Sequence, residues 1–325
     1  MVSSTLNRRT FTAGVASLAV APRLASADGA GTIKIIAPFP AGGSIDAISR
    51  LVQPGLQERL GSVVIVENRP GASGSIGATA VAKSKPDGLT WLMAFDTQAV
   101  NPFLQPNLPF DTVKDFIAVE LIGTAPLVLA CHPSRPYKQF SDVIAAAKAA
   151  PGKVTYGSIG SGSLGHLAMV LLGKRADAPW THVPYRGGGP AVNDAIGGHI
   201  DLVIGSAALL APQVGSGLLR PIVQSSSGRI STMPGVPSMA ESGFPGLVAD
   251  DWWGVFAPAN TPDPILEKFR SALVESIRDP VVTQRLIEQQ QVTISLKGPE
   301  YFKQFFAEQM HFWGGIVREN DIKID

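Results

Sequence analysis

The residues best placed to do chemistry are glycines, in two stretches of similar design. The first is Pro38-Phe39-Pro40-Ala41-Gly42-Gly43-Ser44 and the second is Gly160-Ser161-Gly162-Ser163-Leu164-Gly165. Each follows a β-prone run, Ile33 to Ile36 and Val154 to Ile159, and each opens a helical pattern. A loop in that position presents unpaired main-chain N–H groups and the positive end of a helix dipole, which suits an anion without any charged side chain. No lysine or arginine lies between Pro38 and Ser44, so a small carboxylate held by backbone is the expected partner. The same glycines also suit a plain strand-to-helix turn, a device found throughout α/β proteins.

Other chemistry is weighed against the same residues. Gly160, Gly162 and Gly165 match the dinucleotide fingerprint between a strand and a helix, but the strand Thr181 to Tyr185 ends in Tyr185-Arg186 with no acid to grip a ribose. The spacing also matches a phosphate loop, but His166-Leu167 stands where lysine and serine or threonine are required. Neither Ser161 nor Ser163 has the glycine two residues before it that a nucleophile elbow needs. His132, His166, His182, His199 and His311 are scattered, and no zinc motif or paired acid and base has a diagnostic spacing. Many anion cradles and few catalytic constellations describe a binder, with no cofactor or metal expected.

The elements that must position these loops read as strand and helix in alternation. Ile33 to Ile36, Ser62 to Val66 and Leu89 to Ala94 are strands, separated by a helix from Ser44 and a small-residue helix ending at Lys83. Pro54-Gly55 predicts a kink in the first helix or two short ones. This alternation predicts a parallel sheet whose ligands bind beyond the strands' carboxyl ends, which adds Asp96, Thr97 and Gln98 as candidates beside the alternative of a helix cap. Asp46, one turn before Arg50, reads as structural. Phe116 to Gly123 and Leu127 to Cys131 read as two strands. After the second glycine loop come Tyr185-Arg186-Gly187, where the glycines could form another nest of amides and Arg186 could clamp a carboxylate. Thr261-Pro262 is expected to begin a helix, and Phe302, Phe305, Phe306, Met310 and Trp313 are expected to be core in the last one.

Composition narrows the setting. Arg8-Arg9-Thr10-Phe11, an apolar run from Ala13 to Ala21 and Ala25-Ser26-Ala27 make a twin-arginine signal with a cleavage site, so residues 1–27 are set aside from the fold. Their removal takes Arg8, Arg9 and Arg23 from 27 basic residues and leaves 26 acids, a net charge of about −2. No basic run remains to neutralise nucleic-acid phosphates, so nucleic acid is not an expected partner. Cys131 is the one cysteine, expected as a buried thiol, and no cysteine follows the cleavage site to carry a lipid.

Several further segments complete a pattern with a family likeness: Pro38-Phe39-Pro40-Ala41-Gly42-Gly43 with Asp46, Glu67-Asn68-Arg69-Pro70-Gly71-Ala72, Pro86-Asp87-Gly88, Gly162-Ser163-Leu164-Gly165-His166-Leu167, Val183-Pro184-Tyr185-Arg186-Gly187, Val236-Pro237-Ser238 with Glu241 and Gly243, and Trp253-Gly254 with Ala257-Pro258. In this order the chain resembles the solute receptors of tripartite tricarboxylate transporters, the Bug family. The resemblance implies an α/β fold of the periplasmic binding protein type II kind, a flytrap of two lobes, with residues 28–126 plus 252–325 as one lobe and 127–251 as the other. It implies a periplasmic, monomeric, non-enzymatic receptor that delivers a di- or tricarboxylate or related acid to the membrane subunits of a transporter. Carried over by position, it favours Phe39, Ala41, Gly42, Gly43, Gly160, Ser163 and His166 at the ligand. Ser44, Asp96, Thr97, Ser158, Ser161, Tyr185, Arg186 and Gly187 complete the candidate set, with Asp96 and Tyr185 as residues able to select the acid. Many relatives carry a histidine before the Asn-Pro pair where this chain has Asp96-Thr97-Gln98-Ala99-Val100. The competing reading is an exported dinucleotide-dependent oxidoreductase.

Overall fold

The computed structural model describes residues 31–323, so the signal expected over residues 1–27 lies outside the described residues. From Gly31 onward the chain forms one compact unit. Its first part alternates as expected: β1 (Ile33–Ala37), α1 (Ser44–Leu60), β2 (Val64–Asn68), α2 (Ser75–Ala82), β3 (Thr90–Phe95) and α3 (Thr97–Leu104). A long strand, β4 (Phe116–Cys131), follows, then α4 (Phe140–Ala149), β5 (Thr155–Ser158), α5 (Leu164–Ala176), β6 (Thr181–Pro184), α6 (Gly188–Ile196), β7 (Leu202–Ser206), α7 (Ala207–Gly215) and β8 (Arg220–Gln224). The chain closes with β9 (Asp250–Pro258), α8 (Asp263–Arg278), α9 (Pro280–Glu288), β10 (Thr293–Ile294) and α10 (Pro299–Glu319).

Two sheet regions share β4. In the first, β1 pairs in parallel with β2 and β3, and β9 is inserted antiparallel between β3 and β4. In the second, β5 pairs in parallel with β6 and β7, while β7 and β8 flank β4 antiparallel. The expectation of two strands between Phe116 and Cys131 is corrected here, because the chain stays extended through Thr124-Ala125-Pro126. Phe116 to Pro126 pair with β9, and from Leu127 the partners are β7 and β8. Proline tolerates the exchange because it has no N–H to leave unpaired. Ser225 binds the crossover together: its Oγ accepts the Leu127 amide at 2.8 Å and lies 2.9 Å from both the Ala249 carbonyl and Asp250 Oδ1.

The strand period of two sorts side chains between the faces. Trp253 joins the core beneath α1 and α8, where Trp91 stacks on Phe269 at 3.7 Å between ring centres. Its neighbour Trp252 points to the opposite core, against Phe302 and Phe306 of α10. Phe302, Phe306 and Trp313 are buried as expected, whereas Phe305 and Met310 lie at the core's edge. The last turns of α10 leave that core: Trp313, Ile316 and Val317 pack with β4, α4 and α5 side chains. Cys131 is a fully buried free thiol, and burial pushes its pKa up.

Two helix expectations change. α1 is a single helix through Pro54 and not two short ones; Gly55 lets it approach α8 so closely that a Cβ there would sit 2.6 Å from Ser276 Oγ. Tertiary packing along that face holds the helix past the missing hydrogen bond. α8 begins at Asp263 with Pro262 as its cap residue, because the Thr261 hydroxyl donates to the Pro258 carbonyl at 2.8 Å and stays with the preceding turn.

Candidate functional site

The two glycine loops are built alike, position by position. In each, a glycine with positive φ stands two residues before the helix, Gly42 at 86° and Gly162 at 77°, a conformation open to glycine at little cost. In each, the amide of that glycine is taken by the side chain four residues on. Asp46 Oδ2 accepts from Gly42 N–H at 3.0 Å, and His166 Nδ1 accepts from Gly162 N–H at 3.0 Å. Gly42 therefore shapes the loop and is not an available donor, and Asp46 has the structural role expected of it. Arg50 Nε closes the first clamp on Asp46 Oδ1 at 2.9 Å, while Asn68 Nδ2 fixes the Phe39 carbonyl at 3.1 Å.

What the clamps leave open are the amides just beyond them. Among the described residues, no protein acceptor meets the N–H groups of Gly43, Ser44, Ile45 and Asp46 at the start of α1, or those of Ser161, Leu164 and Gly165 at α5. The remaining amides of the second loop are used internally. Gly160 N–H donates to Ser158 Oγ at 3.2 Å, Ser163 N–H to the Gly160 carbonyl at 3.2 Å, and His166 N–H to Ser163 Oγ at 3.4 Å. Two helix N-termini thus carry sets of unpaired donors, and a helix N-terminus attracts negative charge.

The side chains around them add no net charge. Burial pushes the Asp46 carboxyl up, but its bonds from Arg50 and Gly42 outweigh that and hold it below its ordinary value, so it is an anion matched by Arg50. In the second loop, His166 stacks on His182 at 3.9 Å between ring centres. Burial lowers both imidazoles to about 4, so both are neutral at neutral pH and His166 Nδ1 is free to accept. His182 Nε2 lies 2.7 Å from Ser158 Oγ. The attraction for an anion is left to main-chain dipoles.

The other candidates fall into distinct places. Ser44 Oγ accepts from the Trp253 indole at 3.3 Å, and Trp253, Phe95 and Phe39 form an aromatic row with ring centres 5.6 and 6.0 Å apart. Ala41 and Gly43 are exposed and Ser161 is half-buried. Ile159 of the second loop packs against the core built by β1, α1 and β3, an apolar contact that brings the second loop to the first loop's side. Tyr185 is stitched beside that loop, its amide donating to the Ser158 carbonyl at 3.1 Å, but its hydroxyl turns away to Asp194 at 2.6 Å. Arg186 is exposed and makes no ion pair among the described residues. Gly187, at φ 120°, is the cap residue of α6. Asp96 and Thr97 are buried at the end of β3; Asp96 lies against Asp251, and burial raises its carboxyl to about 6 and that of Asp251 well above the usual range. Among the described residues no group of histidine, cysteine and acids could hold a metal.

Sequence reasoning missed His182, Trp253, Ile159 and Asp251. A signal for His182 exists only in the pairing of β5 with β6, which places it opposite Tyr156 and two positions from Ser158's partner. Trp253 and Asp251 come from β9, distant in sequence from Ser44 and Asp96, and Ile159 meets a core that includes β1, α1 and β3.

Comparison with known proteins places this arrangement. Protein BugT of Bordetella pertussis is 36% identical over 315 residues, 96% of this chain and 95% of that protein. Among solved structures, a periplasmic transporter superposes with a TM-score of 0.83 at 38% identity over 90% of this chain and 98% of that one. A protein of R. palustris with adipate gives 0.83 at 26% identity, covering 90% and 98%. MatC of Rhodopseudomonas palustris with bound malate gives 0.78 at 28% identity, covering 88% and 98%. The fold is therefore the α/β fold of periplasmic binding proteins, and the oxidoreductase reading falls, since the matching family is one of receptors and not of enzymes. Residues 48–322 match the model of the tripartite tricarboxylate transporter family receptor, and the chain belongs to that family.

Proposed function

We propose that the chain captures a small organic acid in the periplasm between the N-termini of α1 and α5 and delivers it to the membrane subunits of a tripartite tricarboxylate transporter. The observation that carries this reading is the matched pair of clamped loops, each with its unpaired amides just past the clamp. A hydrogen bond to a charged group contributes about 1.5–3 kcal/mol, so four such bonds offer roughly 6–12 kcal/mol before ordering costs. Micromolar affinity requires about 8 kcal/mol. Adipate and malate in the solved relatives support a carboxylate of that size.

In this reading the lobes are residues 28–126 plus 252–325 and residues 127–251, an arrangement supported by the exchange of β4's partners at Pro126 and Leu127. A ligand touching both helix N-termini then favours the closed form by population shift. Export by the twin-arginine signal and action as a monomer complete the proposal. A thermal-shift screen over mono-, di- and tricarboxylates and acidic amino acids tests it: at least one acid should raise the melting temperature in a saturable way. No shift with any carboxylate would overturn the assignment.

A further inference from the structure

His182 lies outside both glycine loops in sequence, yet it reaches the second one. β6 pairs with β5 so that Tyr156 lies opposite His182 and Ser158 opposite Pro184. Residues two apart along a strand share a face, and diagonal neighbours across the ladder are within reach of a ring side chain. The imidazole takes that diagonal: its Nε2 lies 2.7 Å from Ser158 Oγ, and its face stacks with Tyr156 at 5.0 Å and with His166 at 3.9 Å between ring centres.

Ser158 in turn holds the loop backbone. Its Oγ accepts the Gly160 amide at 3.2 Å and donates to the Gly160 carbonyl at 3.0 Å; the same carbonyl accepts from Ser163 Oγ at 2.7 Å and from the Ser163 amide at 3.2 Å. Gly160 sits at φ 139°, and a glycine has the widest backbone freedom to lose, so both of its peptide groups need fixing from outside. A hydroxyl has one proton to give. With the Ser158 proton on the Gly160 carbonyl, the contact to His182 is a hydrogen bond only if the imidazole donates from Nε2. The reverse assignment leaves two oxygens 3.0 Å apart with no proton between them. Burial and the neighbouring His166 lower the His182 pKa to about 4, so the ring is neutral at neutral pH and a proton on Nε2 leaves Nδ1 bare.

We infer that His182 is a positioning residue for the second loop: by donating from Nε2 it fixes Ser158 Oγ, and so holds Gly160 in the orientation that keeps the amides of Ser161, Leu164 and Gly165 aligned before an acid arrives. Ordering a loop ahead of binding removes a cost that binding would otherwise carry. The purpose assigned to His182 rests on the acid-capture reading, whereas its hydrogen bond to Ser158 does not. The stack on His166 packs the ring and donates nothing.

Two replacements separate the hydrogen bond from the packing. His182→Gln carries an amide N–H near the position of Nε2 and loses the aromatic face, while His182→Phe keeps the face and cannot donate. Both are compared with the wild type by amide hydrogen exchange at Gly160 and Ser163 without added acid, and by calorimetric titration with the most active carboxylate. In His182→Phe, exchange at these amides should be about tenfold faster and Kd about tenfold higher, the worth of one hydrogen bond, with exchange in β7 unchanged. His182→Gln should restore both to within about threefold of the wild type. A phenylalanine variant that matches the wild type or outperforms glutamine, or one that exchanges faster with unchanged affinity, would overturn the proposal. Nitrogen NMR of the wild-type imidazole provides a check that does not depend on how the variants fold: Nε2 protonated and Nδ1 bare is expected, and the opposite tautomer would overturn the assignment. If the wild type binds no carboxylate, the acid-capture reading falls, while the exchange rates and the tautomer still decide whether His182 holds the loop.

Discussion

Replacing Gly43 by proline removes one N–H and little else. Gly43 sits at φ −82°, close to the value a pyrrolidine ring imposes. A Cβ there would lie 3.6 Å from the Pro40 carbonyl oxygen, an ordinary contact, with nothing else within 4 Å. Its amide has no acceptor among the described residues, so these lose no hydrogen bond. A bound carboxylate would lose one charge-assisted bond, about 1.5–3 kcal/mol, which is roughly a 10- to 150-fold rise in Kd. The assay pairs calorimetric titration with the most active acid and thermal unfolding with and without it. With the acid at 100 times its wild-type Kd, the wild type gains about 2.7 kcal/mol of stability and a variant weakened 100-fold only about 0.4. Unchanged affinity in a variant that melts like the wild type would refute the role of the α1 amides.

Other consequences follow from the same geometry. Asp46→Ala releases the Gly42 amide and strands Arg50, and should lower stability by about 1–3 kcal/mol and weaken acid binding, as read by urea unfolding and titration. Because Asp46 is held below its ordinary value, its contribution is present above about pH 4 and lost as pH falls through the still lower folded value, so the gap between wild type and Asp46→Ala should close in strong acid. Asp251→Asn has the opposite sign: Asp96 is raised by burial, and Asp251 by burial and by the neighbouring Asp96, so they favour the fold below about pH 4 and oppose it as pH rises through their folded values. The asparagine variant should be more stable than the wild type at pH 8, and a variant no more stable there would contradict the burial of that pair. Gly254→Ala would drive a methyl group into the Phe302 ring between β9 and α10, at a cost of about 1–3 kcal/mol. Gly315→Ala, with open space around it, serves as the tolerated comparison in the same denaturant series.

Local pattern carried the reading of this chain a long way. The alternation of β1, α1, β2, α2 and β3 and the design of both loops are written in nearest-neighbour chemistry: β-branched runs, glycines before a helix, a side chain four residues on. Asp46 and Arg50 were legible as a pair because a helix turn brings them together whatever else the protein does. Pro54 misled for the same reason in reverse, since a proline's local cost is visible while the packing that outweighs it is not, and the break expected between Gly123 and Leu127 is absent. α1 passes Pro54 because its face is buried against α8, and β4 passes Pro126 because different strands wait on either side.

The sequence by itself determined the design of the two glycine loops and the family. Only the tertiary structure decided which amides remain open, because that depends on which side chains fold back to take them. It alone placed His182 behind the second loop, Trp253 on Ser44 and Ile159 against the opposite core, and turned the Tyr185 hydroxyl away to Asp194. Those contacts join residues far apart along the chain, and no local preference encodes a partner that arrives only when the sheet has formed.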